Sequence, residues 1–347
     1  MSDLTTAFSR AVGIEIPIIC GAMYPCSNPE LVAAASAAGA IGIVQPISLT
    51  YVHGHEFRTG LRYIRSLTDR PIGMNALIEQ SSRRYRERME QWVDVALEEG
   101  VRFFITSLGN PRWVVERARA ADAIVYHDVT ELKWGQKGLD AGVHGLIAVN
   151  DRAGGHAGPK SAEQLAEELA PLGLPLICAG GVGEPEDFVR ALRLGYAGVQ
   201  MGTRFIATTE CRAHPAYKQA LVDATEDDVV LTERITGVPV SVLRTPQVER
   251  VGTRAGPLAR RLLRGRRTKH LMRTLYALRS LWQLKRSLLR AGSPSDHWQA
   301  GKSVRGIHAI EPTAEIIRRF ARAAQVALAA DRRRQADGVA RPTAHPA

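Results

Sequence analysis

Short apolar, β-branched runs recur along this chain at 17–23, 40–45, 71–78, 101–108, 123–129, 144–150, 175–179 and 198–205. They are continuous rather than alternating. That pattern belongs to strands buried on both faces, as in a parallel sheet covered by helices, and not to a sheet with one wet face. Between the runs lie segments that read as helices at 29–39, 81–100, 111–120, 161–172 and 185–194. Asn28, Asn110 and a Ser161-x-Glu163 opening mark starts, and Gly195 marks a stop. Eight β–α repeats within the first two-thirds of the chain predict an α/β protein of the (β/α)8 barrel, or TIM barrel, class, whose functional end is the C-terminal end of the strands. An open doubly wound sheet is the competing architecture. It lacks support, because no GxGxxG follows the first strand.

Beyond the eighth run the pattern changes. Residues 210–224 read as helix, 234–244 as extended, 259–289 as a basic helical region with Leu262, Leu271, Leu275, Leu278, Leu281 and Trp282 at mixed three- and four-residue spacing, and 312–330 as a closing amphipathic helix. The expected organisation is therefore a barrel over 1–206, a mainly helical basic lid or insertion over 207–298, a closing segment and helix over 299–330, and a frayed Arg-, Ala- and Pro-rich tail over 331–347.

Three strand ends carry bare backbone. They are Arg152-Ala153-Gly154-Gly155-His156-Ala157-Gly158, Cys178-Ala179-Gly180-Gly181 and Gln200-Met201-Gly202-Thr203. Glycine lets an anion approach amides that a Cβ would shield, so this spacing suits a phosphate held by main-chain N–H groups. The single histidine among them, His156, sets a titratable group beside that site. A flavin or a sugar phosphate is the class of ligand this combination implies.

Charge narrows the partners. The formal charge of +11 resembles a nucleic-acid signal until it is located: thirteen Lys or Arg and no Asp or Glu fall between Arg250 and Ser295. The rest of the chain is slightly acidic, so the basicity belongs to one appendage and not to a general polyanion binder. The stretch at 250–290 would either dock an anionic partner (an acyl carrier protein, a coenzyme A ester or an acidic membrane surface) or lie as a solvated lid. No zinc finger, helix-turn-helix or aromatic-interleaved RNA motif is visible, which argues against nucleic acid. Cys20, Cys26, Cys178 and Cys211 show neither CxxC nor metal-ligand pairing, and His53 and His55 lack a third ligand, so no metal is assigned. No apolar run long enough to cross a membrane and no secretory leader is apparent, which makes the cytoplasm the expected compartment. A homodimer is the default assembly.

In order, these motifs resemble the nitronate monooxygenase (2-nitropropane dioxygenase) family of FMN-dependent barrels, which is similar in turn to flavin-dependent enoyl-acyl-carrier-protein reductases and to NAD(P)H:quinone reductases. The resemblance rests on 17–30 at the first strand, Pro71-Ile72-Gly73-Met74-Asn75 at the third, Ala153-Gly154-Gly155-His156 at the sixth, Ala179-Gly180-Gly181 at the seventh, and Gln200-Met201-Gly202-Thr203-Arg204-Phe205 with Ala213-His214-Pro215 at the eighth. It resumes at 299–320. It implies that Asn75 hydrogen-bonds the flavin ring and that Gly155, Gly181, Gly202 and Thr203 surround the FMN phosphate. By the same resemblance Ala22, Met23, Gly154, Gly180, Gln200 and Met201 complete the cofactor site, and His156 faces the substrate. The activity implied is oxidation of alkyl nitronates with O2 to carbonyl compounds and nitrite, with His156 as base for the neutral nitroalkane. An NAD(P)H-dependent reductase of an enoyl thioester or quinone, with NAD(P)H as co-substrate, is the alternative. A flavin-binding module anchored by its basic segment is the non-enzymatic one.

The chain departs from the family pattern at several positions. Ala22, Pro25 and Asn28 stand where the first motif has Pro, Gly and Thr. Val149 and Arg152 stand where the sixth strand has Gln and Glu, so Asn150 is the neighbouring amide available to the flavin, and Arg152, if turned inward, adds a cation to the substrate pocket. Tyr24, in the loop after the first strand, is a further pocket candidate. His214 is read as a structural cap.

Overall fold

A computed structural model describes residues 4–78, 83–234, 239–254, 285–286 and 298–339. The eight predicted runs become eight parallel strands that close into a barrel: β1 Ile18–Cys20, β2 Ile41–Val44, β3 Ile72–Leu77, β4 Phe103–Ser107, β5 Ile124–Val129, β6 Gly145–Val149, β7 Leu176–Ala179 and β8 Gly198–Met201. Closure is between β1 and β8, where Ile18, Ile19 and Cys20 pair with Val199, Gln200 and Met201. α1 Ala7–Val12 precedes β1, and between the strands α2 Pro29–Ala37, α3 Phe57–Leu67, α4 Arg83–Glu98, α5 Arg112–Arg119, α6 Leu132–Asp140, α7 Ala162–Leu169 and α8 Pro185–Arg193 bury their apolar faces on the strands' outer side.

Alternation along each strand sends one set of side chains into the barrel. Ile19, Ile41, Ile43, Ile105, Ile147 and Ile177 fill its middle. The N-terminal end is plugged by α1: the Phe8 ring lies 5.6 Å from Phe103 and 5.5 Å from Tyr126, and those two rings are 5.4 Å apart. Thr6 caps α1 and its hydroxyl donates to the Ala197 carbonyl at 2.7 Å, tying the plug to the start of β8. Among the described residues this plug closes the bottom, and the interior opens at the strands' C-terminal ends.

After β8 come a short helix α9 Thr203–Ile206, α10 Pro215–Asp223, an antiparallel pair β9 Val229–Thr232 and β10 Val240–Leu243, and α11 Pro246–Val251. The region read as a mainly helical lid therefore contains a hairpin as well. The basic helical stretch at 259–289 lies outside the described residues apart from Lys285 and Arg286. Residues 210–214, read as helix, instead lead into α10, and the Glu210 carboxylate accepts from the backbone N–H and hydroxyl of Thr313 at the start of the final helix.

That helix, α12 Thr313–Val339, packs between α2 and α8 and passes Asp331, where the sequence reading begins a frayed tail. The reason is local: residues 321–335 are rich in Ala and Arg, strong helix formers, and Arg193 of α8 holds Asp331 through two hydrogen bonds of 2.9 and 3.0 Å. Residues 340–347 lie outside the description.

Candidate active site

The mouth of the barrel is built from the loops after β1, β6, β7 and β8 and from the closing segment at 298–303. The loop after β6 is closed at its base by Asp151 N–H to the Lys160 carbonyl at 2.9 Å and Gly158 N–H to the Asn150 carbonyl at 3.2 Å. From outside, β10 pins it: Ser241 N–H donates to the Gly155 carbonyl at 2.8 Å. The same edge of β10, opposite β9, also takes the closing segment, with Leu243 N–H on the Trp298 carbonyl at 2.8 Å. Gly301 then threads between loops, donating to the Thr203 hydroxyl at 3.0 Å, while Lys302 N–H reaches the Arg152 carbonyl at 2.9 Å. Tyr217 stacks on Trp298 at 5.3 Å and holds that segment from the side of α10.

This packing brings the predicted glycines together and explains them. A Cβ on Gly154 would stand 2.9 Å from Gly301 N and 3.3 Å from the Thr203 hydroxyl. Gly180, at φ +122°, would place a Cβ 2.2 Å from the Asn150 side chain, and Gly155 and Gly181 sit at φ +70° and +75°. Towards the mouth the space opens: a Cβ on Gly155 would meet only Gln299 Oε1 at 3.7 Å, and one on Gly202 only the Met23 side chain at 3.4 Å. Gly155 is bridged to Ser241 of β10, whereas among the described residues the N–H groups of Gly181, Gly202 and Thr203 make no backbone hydrogen bond to another loop. Amides from these two adjacent loops, with the positive-φ glycines Gly155, Gly180 and Gly181 beside them, form a concave donor set suited to a phosphate.

The neutral side of the mouth is equally specific. Gly73, Tyr126 and Gly198 face the barrel interior, since the first and last would meet Phe103 and Phe8 with a Cβ and Tyr126 touches both rings. Two residues further along each strand, Asn75, Asp128 and Gln200 therefore face inward one layer nearer the mouth. Gln200 Oε1 is buried without a partner. Met201 lends its carbonyl to Gly21 N–H at 3.0 Å, and Ala22 packs on the interior cluster. An orphan amide oxygen facing inward like Asn75, below an amide cradle, suits the polar edge and phosphate of a flavin.

His156 stands in the loop with its ring reachable by solvent, yet the protein surrounding the concavity holds its pKa below the usual imidazole range. That environment favours the neutral imidazole. Tyr24 lies across the mouth near Tyr51, with its phenol pushed upward first by burial and then by Tyr51. His53 hydrogen-bonds the backbone of Pro25 in the same loop, and its burial lowers its pKa to about 4. On the rim, Lys285 of the basic stretch lies 4.0 Å above the Tyr51 ring and donates to the Tyr51 carbonyl at 2.6 Å.

Two expectations change. Asn150 is turned between β6 and β7: its Nδ2 donates to the Gly180 carbonyl at 3.0 Å and its Oδ1 accepts from Arg152 N–H at 2.9 Å. Both ends of its amide organise the glycine loops, so it supports the cradle. Arg152 does not point into the pocket. Its stem crosses Gly181 and its guanidinium pairs with Glu226, which also meets Arg305 at 3.2 Å, outside the cradle. The charge is drawn away by a carboxylate on the insertion that the apolar pattern of the barrel does not register. Asn28 likewise makes no cap bond. It donates to Glu30 and to the Glu210 carbonyl and accepts from Arg212 N–H, fastening the first loop to the eighth. His214, by contrast, does cap α10, its Nδ1 accepting from Ala216 N–H at 3.1 Å.

Sequence reasoning missed Asp128, Gly301 and Glu226. Only the first had a usable signal, a carboxylate inside an otherwise apolar strand.

Comparison with known proteins is consistent with this geometry. A family model described as nitronate monooxygenase matches residues 5–322. The (3aS,4S,5R,7aS)-5-hydroxy-7a-methyl-1-oxo-octahydro-1H-indene-4-carboxyl-CoA dehydrogenase of Mycobacterium tuberculosis is 31% identical over 258 residues, covering 73% of this chain and 70% of that one. A probable nitronate monooxygenase of Staphylococcus saprophyticus is 27% identical over 280 residues, covering 68% and 78%. Among solved structures, FabK from Thermotoga maritima superposes with a TM-score of 0.77 at 26% identity, covering 94% of this chain and 98% of that one. With its closed barrel, its glycine cradle and a match over nearly the whole described chain, the protein is an oxidoreductase of the nitronate monooxygenase family, a family of flavin-dependent barrels.

Proposed function

We propose that this protein is an FMN-dependent oxidoreductase whose substrate is an acyl thioester, and that coenzyme A is the carrier. The observation that carries the flavin assignment is the convergence of the Gly155, Gly181 and Gly202 loops, with the N–H groups of Gly181, Gly202 and Thr203 left without a backbone partner in another loop, above the orphaned Gln200 amide oxygen. The thioester reading is supported by the M. tuberculosis relative, whose name places its reaction on a carboxyl-CoA. It is also supported by Lys285, a cation of the basic stretch lying against the mouth loop, where the phosphates of a coenzyme A tail would emerge.

When bound, FMN would supply the two-electron redox chemistry. The chain's own residues do the rest. The three glycine loops would grip the phosphate, and Asn75 and Gln200 would address the ring edge with neutral amides, which bias its redox state less than a charge does. The plug of Phe8, Phe103 and Tyr126 keeps water from below. His156, as neutral imidazole, would accept the proton released from a carbon next to a carbonyl or return it there.

A nitronate substrate is the second reading. It is favoured by the same neutral His156, which would deprotonate a nitroalkane without help from a metal, and by the probable nitronate monooxygenase among the relatives. Anaerobic mixing of the FMN-loaded protein separates the two. Bleaching of the flavin by an acyl-CoA thioester, or bleaching by NAD(P)H with recovery on adding an enoyl-CoA, supports the thioester reading. Bleaching by an alkyl nitronate and by none of the others supports the nitronate. A colourless preparation that takes up no added FMN would sink both.

A further inference from the structure

Asp128 is the one carboxylate that β5 carries into the barrel. Parity with Tyr126 turns it inward, and it sits one layer nearer the mouth, at the level of Asn75 and Gln200. Its Oδ1 is buried with no hydrogen-bond partner among the described residues, although the residue as a whole keeps some exposure. For an inward-facing position above a plugged barrel, that exposure can only come from the mouth. A carboxylate left ionised there would be a buried charge with no partner, a state proteins avoid by protonation.

The groups facing it are few. On its own strand Tyr126 lies below it, and His127 points outward, its Nδ1 2.8 Å from the Thr106 hydroxyl. β4 offers Ser107, and β6 offers Ile147 and Val149, none of which titrates. Beyond the strand end Glu131 is paired with Lys133. Across the mouth stand His156 and Tyr24. Burial alone pushes the Asp128 carboxyl up to about 7, with no neighbouring charge contributing.

We propose that Asp128 is a second proton-bearing residue of the mouth, held as the neutral acid and donating a hydrogen bond to the ligand that Asn75 and Gln200 address. It rests on the reading of that ligand as FMN, and the two can fail separately. The division of labour follows from chemistry: the two amides each donate and accept, His156 serves as base, and a neutral carboxylic acid adds a strong donor that no other inward strand position among the described residues supplies.

The test uses the full-length protein and its Asp128→Asn variant, which keeps the shape of the neutral acid but holds no titrating proton. Infrared titration of the wild type should show the carbonyl stretch of a neutral carboxylic acid that fades as pH rises through about 7 and is missing from Asp128→Asn. FMN affinity, read by quenching of flavin fluorescence, should weaken in the wild type by up to roughly tenfold for each pH unit above that midpoint, as expected when only the protonated site binds. The variant should lack this slope, and the FMN phosphate, which titrates in both proteins, cancels in the comparison. No such infrared band in the wild type, or the same band in the variant, overturns the proposal, as does an identical pH profile of FMN affinity in the two. Failure of both proteins to bind FMN at any pH removes the flavin reading and the donor role with it, while the infrared band still reports whether Asp128 holds its proton.

Discussion

His156 and Gly180 show how individual residues set the chemistry. Protein mass around His156 disfavours its charged form, so the fraction able to accept a proton stays high down to pH values below the ordinary imidazole midpoint. The sign follows directly: activity that depends on this base is retained through neutral pH and falls as pH drops through a midpoint lying below about 6.5. His156→Asn is expected to lower kcat/KM by roughly 10²–10⁴-fold and to abolish that acid limb while leaving FMN affinity near wild type, since general-base catalysis contributes about that much. A variant that keeps the limb would reassign it. Gly180 is constrained twice, by φ +122° and by the 2.2 Å approach a Cβ would make to Asn150. Gly180→Ala should therefore cost on the order of 3 kcal/mol and displace the amides around it. A lowered melting temperature with weakened FMN binding is the expected reading; loss of stability with intact FMN binding would separate the glycine from the cradle.

The same logic works between elements. All eight strands were legible because burial on both faces removes the polar positions that blur a pattern, and the five helices read between them begin and end within a few residues of their predicted bounds, whereas α3 and α6 were not read. The plug helix was not legible. α1 is only six residues long, too short for periodicity to register, and its role depends on Phe8 meeting Phe103 and Tyr126, residues about a hundred positions away. Phe8→Ala should destabilise by about 3–5 kcal/mol, as a cavity lined by rings that cannot collapse. Denaturant titration measures this, and a loss below about 1 kcal/mol would mean that the barrel floor repacks. α12 illustrates the opposite error. Arg- and Ala-rich composition near a terminus suggests fraying, but α8 supplies the arginine that anchors Asp331.

Over the whole molecule, the barrel and its closing segment are joined by a buried ion pair. Arg204, fully buried just after β8, pairs with Glu311 at the entry to α12, and burial lowers its pKa to about 10 despite that partner. Glu311 also holds Arg319, and its N–H reaches the Ala207 carbonyl at 3.4 Å. Removing one member of such a pair strands the other charge, so Glu311→Gln should destabilise by about 3–5 kcal/mol. Because the same segment continues from Gly301 in the cradle, FMN affinity should fall along with the melting temperature. Unchanged FMN binding in the destabilised variant would show the closing segment to be independent of the site.

By itself the amino-acid sequence determined the strand count, the barrel, the three glycine loops and the histidine among them, because each is encoded within a dozen neighbouring residues as a hydrophobic run or a backbone requirement. Tertiary structure decided the rest. Which way Arg152 turns depends on Glu226, seventy-four positions later; whether Asn150 is free depends on Gly180; and whether Asp128 keeps its charge depends on how completely seven other strands enclose it. Those outcomes are set by distances and burial between segments remote in the chain, and a linear pattern carries neither.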